Sequence, residues 1–264
     1  MDCGPTRPAL PIDATARYHG SSEPRGAAVL NLSCARLTGH DLNDLVVWER
    51  GGDRCQLHPE VVGPLHALCD RAAVAGLALR VASGFRSFER QLAIWNAKAR
   101  GERPVLDDRG RPRDVRTLGD RERMYAILRW SALPGASRHH WGTDIDVWDA
   151  SAVAADYRLQ LVAGEYAPRG PFFALHAWLE QALGADAGFY RPYATDTGGV
   201  APEPWHLSFA PVAREFEARL SPQLLRDVIE AAEIELKTVI LEDLDTIHAR
   251  FVRSARCIPS GDAG

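Results

Sequence analysis

Apolar residues in PEVVGPLHALCDRAAVAGL recur at close to helical spacing. Val61, Leu65, Leu68, Ala72 and Ala75 fall on one side, which predicts a helix over 58–76 stopped by Gly76. The period then changes. LALRVAS, residues 77–83, alternates as a half-buried strand does and ends at the tight pair Ser83-Gly84. Ser87 has the side chain of an N-cap, with Gln91 nearby, and opens a predicted helix over SFERQLAIWNAKARG. The charged, turn-rich stretch 101–114 predicts an exposed loop, and its basic run RGRPRD a solvated one. A further helix fits 119–131, where Met124, Ile127, Leu128 and Ser131 share a side.

TDIDVW, residues 143–148, alternates again, so Asp144 and Asp146 face one way and Ile145 and Val147 the other. A helix over 171–183 precedes a loop rich in Gly and Tyr at 184–202, and WHLSFA, 205–210, reads as another short strand. From 211 to 253 the pattern is mostly helical, with Leu224, Val228, Ala231, Ile234 and Glu235 in near-helical register. Residues 1–27 are rich in Pro, Gly, Ser and Arg and predict an extended arm. No internal repeat is visible. The expected organisation is one α+β domain: an arm over 1–27, a main region over 28–210, and a helical tail over 211–264 packed on it.

Composition narrows this picture only at its edges. With 264 residues the chain holds one large domain or one and a half ordinary ones. Its net charge of −4 gives no general footprint for nucleic acid. No apolar run reaches the roughly 18–20 residues that span a bilayer, and no cationic start followed by an apolar stretch marks a secretory signal. The five cysteines, Cys3, Cys34, Cys55, Cys69 and Cys257, are widely spaced with no CxxC pair. They read as reduced and mainly buried, with Cys55 and Cys69 the pair to join in an oxidising compartment.

The chemistry concentrates in two places, SRHHWGTDID at 137–146 and EPWH at 203–206. A polar loop with surface histidines is the bland reading. The sharper one is a metal site. A catalytic zinc site takes three ligands from His, Asp and Glu and leaves a fourth position open. His139 and Asp146 suit a first pair, with Gly142 between them allowing a tight turn, and His206 supplies the distant third. Glu203 lies three residues earlier and is placed to act as a base beside the metal. His140 neighbours a ligand but would point the other way. His19, His40, His58, His66, His176 and His248 have no companion pattern and read as structural or solvent-facing. Trp141, Trp148 and Trp205 read as core or cleft wall, with Trp205 beneath the metal.

These residues carry a resemblance. S-x-H-x-x-G-x-x-x-D, here Ser137, His139, Gly142 and Asp146, followed by E-x-W-H, here Glu203, Trp205 and His206, resembles the D-alanyl-D-alanine carboxypeptidase branch of the LAS metallopeptidases. That group also contains lysostaphin and the hedgehog-like domains. SGFRSFERQ, 83–91, is similar to the SGYRS segment of vancomycin-resistance-type D,D-carboxypeptidases, so the resemblance covers about 55–210. It implies a small antiparallel sheet bearing the site and flanked by helices, with one Zn²⁺ per chain on His139, Asp146 and His206. It makes Glu203 the base and sets Arg86 by the scissile carbonyl, to stabilise an oxyanion or hold a substrate carboxylate. Ser137 and Gln91 would line the substrate subsite.

The chain departs from the common motif in having Asp144 where alanine is usual, which leaves two aspartates on one strand face; Asp146 holds the family position. The implied activity is removal of a terminal D-amino acid from a peptidoglycan stem peptide or another peptide ending in D-Ala-D-Ala, in the periplasm or cell envelope. The alternatives are an endopeptidase of the same fold cutting L-alanyl-D-glutamate or a cross-bridge, a cytoplasmic dipeptidase, and a non-catalytic zinc-containing module that binds cell wall. Glu203 argues against the last. A closed cleft for a free C-terminus favours the carboxypeptidase and an open groove the endopeptidase.

Overall fold

The computed structural model describes residues 32–108, 110–183 and 188–253. The predicted arm at 1–27, Cys3 and Cys257 lie outside them. A short helix, α1 (Cys34–Leu37), leads to an antiparallel hairpin of β1 (Val46–Arg50) and β2 (Asp53–Leu57). Its turn is Gly51-Gly52, with φ of 60° and 94°. Two successive positive φ angles match the twist of flanking strands, which is why glycines sit there. The sequence reading had assigned nothing to this segment.

The predicted helices form with slightly shorter bounds. In α2 (Pro59–Val74), Pro59 starts the helix with its fixed φ, and the buried residues are Val61, Leu65, Leu68, Cys69 and Ala72. Strand β3 (Leu79–Ser83) follows, then α3 (Phe88–Ala99), where the Ser87 side chain accepts from the backbone N–H of Arg90 at 3.2 Å. The predicted loop at 101–114 holds two two-residue strands, β4 (Val105–Leu106) and β5 (Pro112–Arg113), paired with each other. Helix α4 is Asp120–Leu128.

Strand β6 (Asp144–Asp149) is the middle of the fold. It pairs antiparallel with β3 on one side and with β8 (His206–Phe209) on the other, and β7 (Phe189–Tyr190) completes a four-stranded sheet in the order β3-β6-β8-β7. Between β6 and β7 lie α5 (Ala163–Tyr166) and α6 (Phe173–Ala182). Ile145, Val147 and Leu207 are fully buried, as an alternating strand requires of one face. Asp144 and Asp146 on the other face are buried as well. Buried carboxylates persist only with partners, so that face must be a polar site.

The helical tail consists of α7 (Ala210–Arg219), α8 (Pro222–Ala231), α9 (Lys237–Glu242) and α10 (Leu244–Ile247), continued by a π turn at His248–Val252. It is fastened to α3. Trp95, with no exposed surface, donates its indole N–H to the carbonyl of Glu235 at 3.0 Å. The Asn96 amide bonds the carbonyl of Glu233 and the N–H of Glu235, both at 2.9 Å. Burying a large side chain is worth about 1.5–3 kcal/mol, so Trp95 alone gives the tail a firm anchor. Among the described residues, no helix is long and apolar enough to cross a membrane. Cys34, Cys55 and Cys69 are free thiols, and burial pushes both Cys55 and Cys69 up to about 11.

Candidate metal centre

Sheet register builds the centre. Asp146 on β6 lies directly opposite His206 on β8, and opposed side chains in an antiparallel pair are close neighbours. His139 arrives from a 3-10 turn over Arg138–Trp141, which ends at Gly142 with φ of +69°. A Cβ on Gly142 would lie 2.7 Å from Leu45 Cδ2 and 2.9 Å from the backbone nitrogen of His58. Glycine is therefore required here both by conformation and by space. The ligand-type atoms of His139, Asp146 and His206 all lie within 4.8 Å of one another, and all three residues are buried.

The hydrogen bonds assign the ring nitrogens. His139 donates from Nδ1 to the carbonyl of Gly84 at 2.9 Å, leaving Nε2 to face Asp146 Oδ2 at 3.4 Å. His206 bonds Asp144 Oδ1 through Nε2 at 2.9 Å, so its Nδ1 faces inward, 3.1 Å from Glu203 Oε2 and 3.5 Å from Asp146 Oδ1. Such outer partners commonly orient metal-binding histidines.

The donor set fits a divalent cation. Asp146 Oδ1 is buried and accepts no hydrogen bond, a state that normally costs a lone pair its solvation. Burial works against a charge on His206, yet bonds to Asp144 and Glu203 and the charge of Asp146 carry its pKa up to about 10. The pocket demands positive charge. Two imidazoles and a carboxylate are ligands of the zinc type.

Asp144, outside the group that could hold a metal ion, has a different environment from Asp146. Its Oδ1 accepts from Arg138 Nε at 2.8 Å and from His206, and its Oδ2 from Thr143 Oγ1 at 2.6 Å and Ser208 Oγ at 3.0 Å. Burial would raise its pKa, but Arg138 and His206 hold it below the usual carboxylate range. Its acceptor capacity is filled.

Glu203, Arg86 and Ser137 line the same cavity, of about 180 Å³, whose other walls include Trp130, Leu161, Tyr193, Val200 and Trp205. Arg86 is held by Gln91 Oε1 at 2.9 Å and Ser83 Oγ at 3.3 Å, and burial lowers its pKa against the attraction of Asp146 and Glu203. Gln91, expected to line the subsite, does something else. It has no exposed surface, and its amide nitrogen donates to the carbonyl of Ala132 at 2.7 Å, so its side chain braces Arg86. Trp205 lines the cavity and packs on Tyr166 with ring centroids 5.6 Å apart, while the Tyr193 ring meets His206 edge-on at 5.0 Å.

His140, expected to point away from the ligand set, does so and is fully buried: it accepts from the N–H of Gly135 at Nε2 (3.1 Å) and donates from Nδ1 to the carbonyl of Arg86 (2.6 Å). It thus ties the Arg86 segment to the ligand turn. Arg36, also buried, donates to the carbonyls of His140 and Trp141 at 2.8 and 2.7 Å. Lys98 bonds Ser131 Oγ at 2.9 Å behind the cavity wall, and burial together with Arg103 brings its pKa down to about 8.

Residues 54–212 match the family described as VanY: D-alanyl-D-alanine carboxypeptidase, which covers more than half of the chain and includes every residue just described from β3 to β8. The chain belongs to the VanY family. Its buried His139, Asp146 and His206 form a group that could hold a metal ion. Two proteins of Haemophilus influenzae, both named only as uncharacterized, are similar to it. One is 49% identical over 77 residues, covering 29% of this chain and 53% of the relative. The other is 30% identical over 122 residues, covering 46% of this chain and 92% of the relative. The chain thus spans about half the length of the first of them.

Among solved structures, a vancomycin-resistance D,D-pentapeptidase VanY in complex with Zn(II) is similar at 20% identity, over 75% of this chain and 90% of that one, with a TM-score of 0.44. VanYB in complex with D-Alanine-D-Alanine is similar at 21% identity, over 72% and 91%, with a TM-score of 0.45. The LD-carboxypeptidase LdcB is similar at 22% identity, over 75% and 77%, with a TM-score of 0.43.

Proposed function

We propose that this VanY-family chain is a zinc-dependent carboxypeptidase that removes a terminal D-amino acid from peptidoglycan stem peptides ending in D-Ala-D-Ala. The observation that carries the reading is Glu203: a fourth acidic or basic group, beyond three ligands, whose carboxylate lies 3.1 Å from the inward nitrogen of His206. A purely structural site closes on its ligands and has no use for a base.

His139, Asp146 and His206 would hold the zinc, one ion per chain. When bound, zinc supplies Lewis acidity and lowers the pKa of water toward 7. Glu203 accepts the proton of the attacking water and returns it to the departing amine. Arg86, fixed by Gln91 and Ser83, faces the negative charge that grows on the carbonyl oxygen. Ser137, on the cavity wall, holds the peptide by a hydrogen bond.

The surroundings favour an anionic peptide. Arg86 also lines a groove of about 920 Å³ together with Arg54, Arg90 and Arg103, and the lining residues of that groove among those described include no Asp or Glu. A stem peptide carries free carboxylates that suit such a channel. The same groove keeps the endopeptidase reading in play as the competing outcome. Mass spectrometry of defined stem peptides, with zinc-loaded parent and Glu203→Ala, separates them. Loss of one terminal residue from the free-carboxylate peptide, and not from its C-terminal amide, is expected. Internal cleavage of both would replace this reading with the endopeptidase, and no cleavage of any peptide would end it.

A further inference from the structure

The two ligand histidines are backed differently. Behind His139 stands a neutral backbone carbonyl, that of Gly84. Behind His206 stands a fully buried carboxylate, Asp144, at the position where the motif ordinarily carries alanine. Asp144 is itself clamped by Arg138, whose guanidinium is 2% exposed. Arg138 donates to Tyr190 Oη at 2.7 Å, Ser208 Oγ at 2.8 Å and Glu217 Oε2 at 3.2 Å, and lies 4.7 Å from the Trp141 ring centroid. Asp144 is not among the residues that line the cavity, and the Arg138 side chain is spent on these bonds.

We infer that Asp144, clamped by Arg138, is a positioning residue that fixes His206 as an Nδ1 ligand and tightens metal binding. Asp144 accepts a hydrogen bond from the Nε2–H, so Nδ1 is the nitrogen left to give up its proton to a metal, and it faces Asp146 and Glu203. A carboxylate behind an imidazole also makes it a more basic ligand than a carbonyl does. The inference rests on the reading that the triad holds zinc. It adds that the two histidines contribute unequally, and that a buried ion pair outside the ligand set accounts for the difference.

The test is zinc affinity by chelator competition, with thermal melts of the metal-free proteins as a control for folding. Two variants are compared with the parent. In Asp144→Asn the amide oxygen still accepts from His206 and Arg138, while the hydroxyls of Thr143 and Ser208 rotate to accept. Geometry persists and charge is lost, so affinity should fall about tenfold, the low end of the effect of removing such partners. In Arg138→Met/Asp144→Leu the pair is replaced by apolar groups, a change that buried ion pairs often tolerate in stability. Affinity should then fall toward 100-fold.

Long-range ¹H–¹⁵N spectra of the zinc-loaded proteins give a readout that general packing would not move. The double variant should lose the protected Nε2–H of His206 while the Nδ1–H of His139 stays. Parental zinc affinity in the folded double variant would overturn the inference. If that variant does not fold, parental affinity in Asp144→Asn does so. A parent that binds no zinc would instead overturn the reading beneath it, whereas a parent that binds zinc as tightly as its variants leaves that reading standing and removes only the inference.

Discussion

Asp144 and Asp146 lie two residues apart on the same face of β6, both 4% exposed or less, yet they have opposite surroundings. Asp144 receives four donors, and its charge is matched by Arg138. Asp146 has one oxygen without a donor and shares its cavity with Glu203. Burial is the same; saturation differs. A filled carboxylate organises its neighbours, whereas an unfilled one needs a cation, and this separates a brace from a ligand where sequence spacing alone leaves two aspartates on one face.

The largest effects should come from the unfilled end. Asp146→Ala and His206→Ala should each strip the bound metal and abolish peptide cleavage, because three ligands define the centre. Elemental analysis of the purified proteins checks this. Stoichiometric zinc retained by His139→Ala/His206→Ala would break the ligand assignment outright. Glu203→Ala should behave differently, keeping its zinc and its melting temperature but losing about 10²–10⁴ in turnover, the usual worth of a general base. Full turnover with zinc in place would remove Glu203 as the base.

Arg86 comes next. Losing one donor to a developing oxyanion costs about 10²–10³ in kcat, and Arg86→Lys should recover only part because lysine lacks the planar fork. Steady-state kinetics on the free-carboxylate peptide decide its role. A fall in kcat with KM unchanged places Arg86 at the oxyanion, whereas a rise in KM with kcat unchanged makes it a carboxylate clamp. Unchanged constants for Arg86→Ala would remove it from the site. Gln91→Ala should reproduce a weaker version of the same loss, since Gln91 positions the guanidinium without lining the cavity.

Much of this was legible in the sequence, for identifiable reasons. The ligands of a split metal site are reactive residue types at fixed spacing, and His139, Asp146 and His206 stood out before any fold was known. Alternation in TDIDVW and WHLSFA located the strands that carry them. What escaped reading depends on topology. Arg36 and Arg138 are buried cations, and nothing in a local pattern distinguishes them from solvated ones. Gln91 was read as a subsite residue because it follows the SGFRS segment; only tertiary contact shows it bracing Arg86. The β1–β2 hairpin is a different kind of miss: Gly51-Gly52 between two strand-like runs is a known turn signal. Its strands were obscured because Val46 and Val47 are exposed and only Trp48 of β1 is buried.

The smallest predicted effect tests the same lesson on histidines. His206 and His140 are equally deep, but His206 faces three carboxylates and reaches about 10, whereas burial takes His140 down to about 3. An unfolded histidine titrates near 6.5. In the metal-free protein the two must therefore move stability in opposite directions. The depressed His140 contributes stability that is fully present above about 6.5 and is lost as pH falls toward 3, because the unfolded state binds the proton first. The raised His206 contributes stability that is fully present below about 6.5 and is lost as pH rises through 10. Between pH 7.5 and 5.5 the His140 contribution should fall by about 1 kcal/mol, or roughly 2–4 °C in Tm. His58, lowered to about 4 chiefly by burial, adds a loss of the same sign. His140→Asn keeps a donor for the carbonyl of Arg86 but cannot take a proton. Comparing its Tm slope with the parent's over this range cancels His206 and His58 and leaves His140. The variant should start lower at pH 7.5, having lost the bond from Gly135, and decline less on acidification. Parallel slopes would mean that His140 is protonated in the folded state as readily as in the unfolded chain, and that equal burial with different partners does not separate these two histidines.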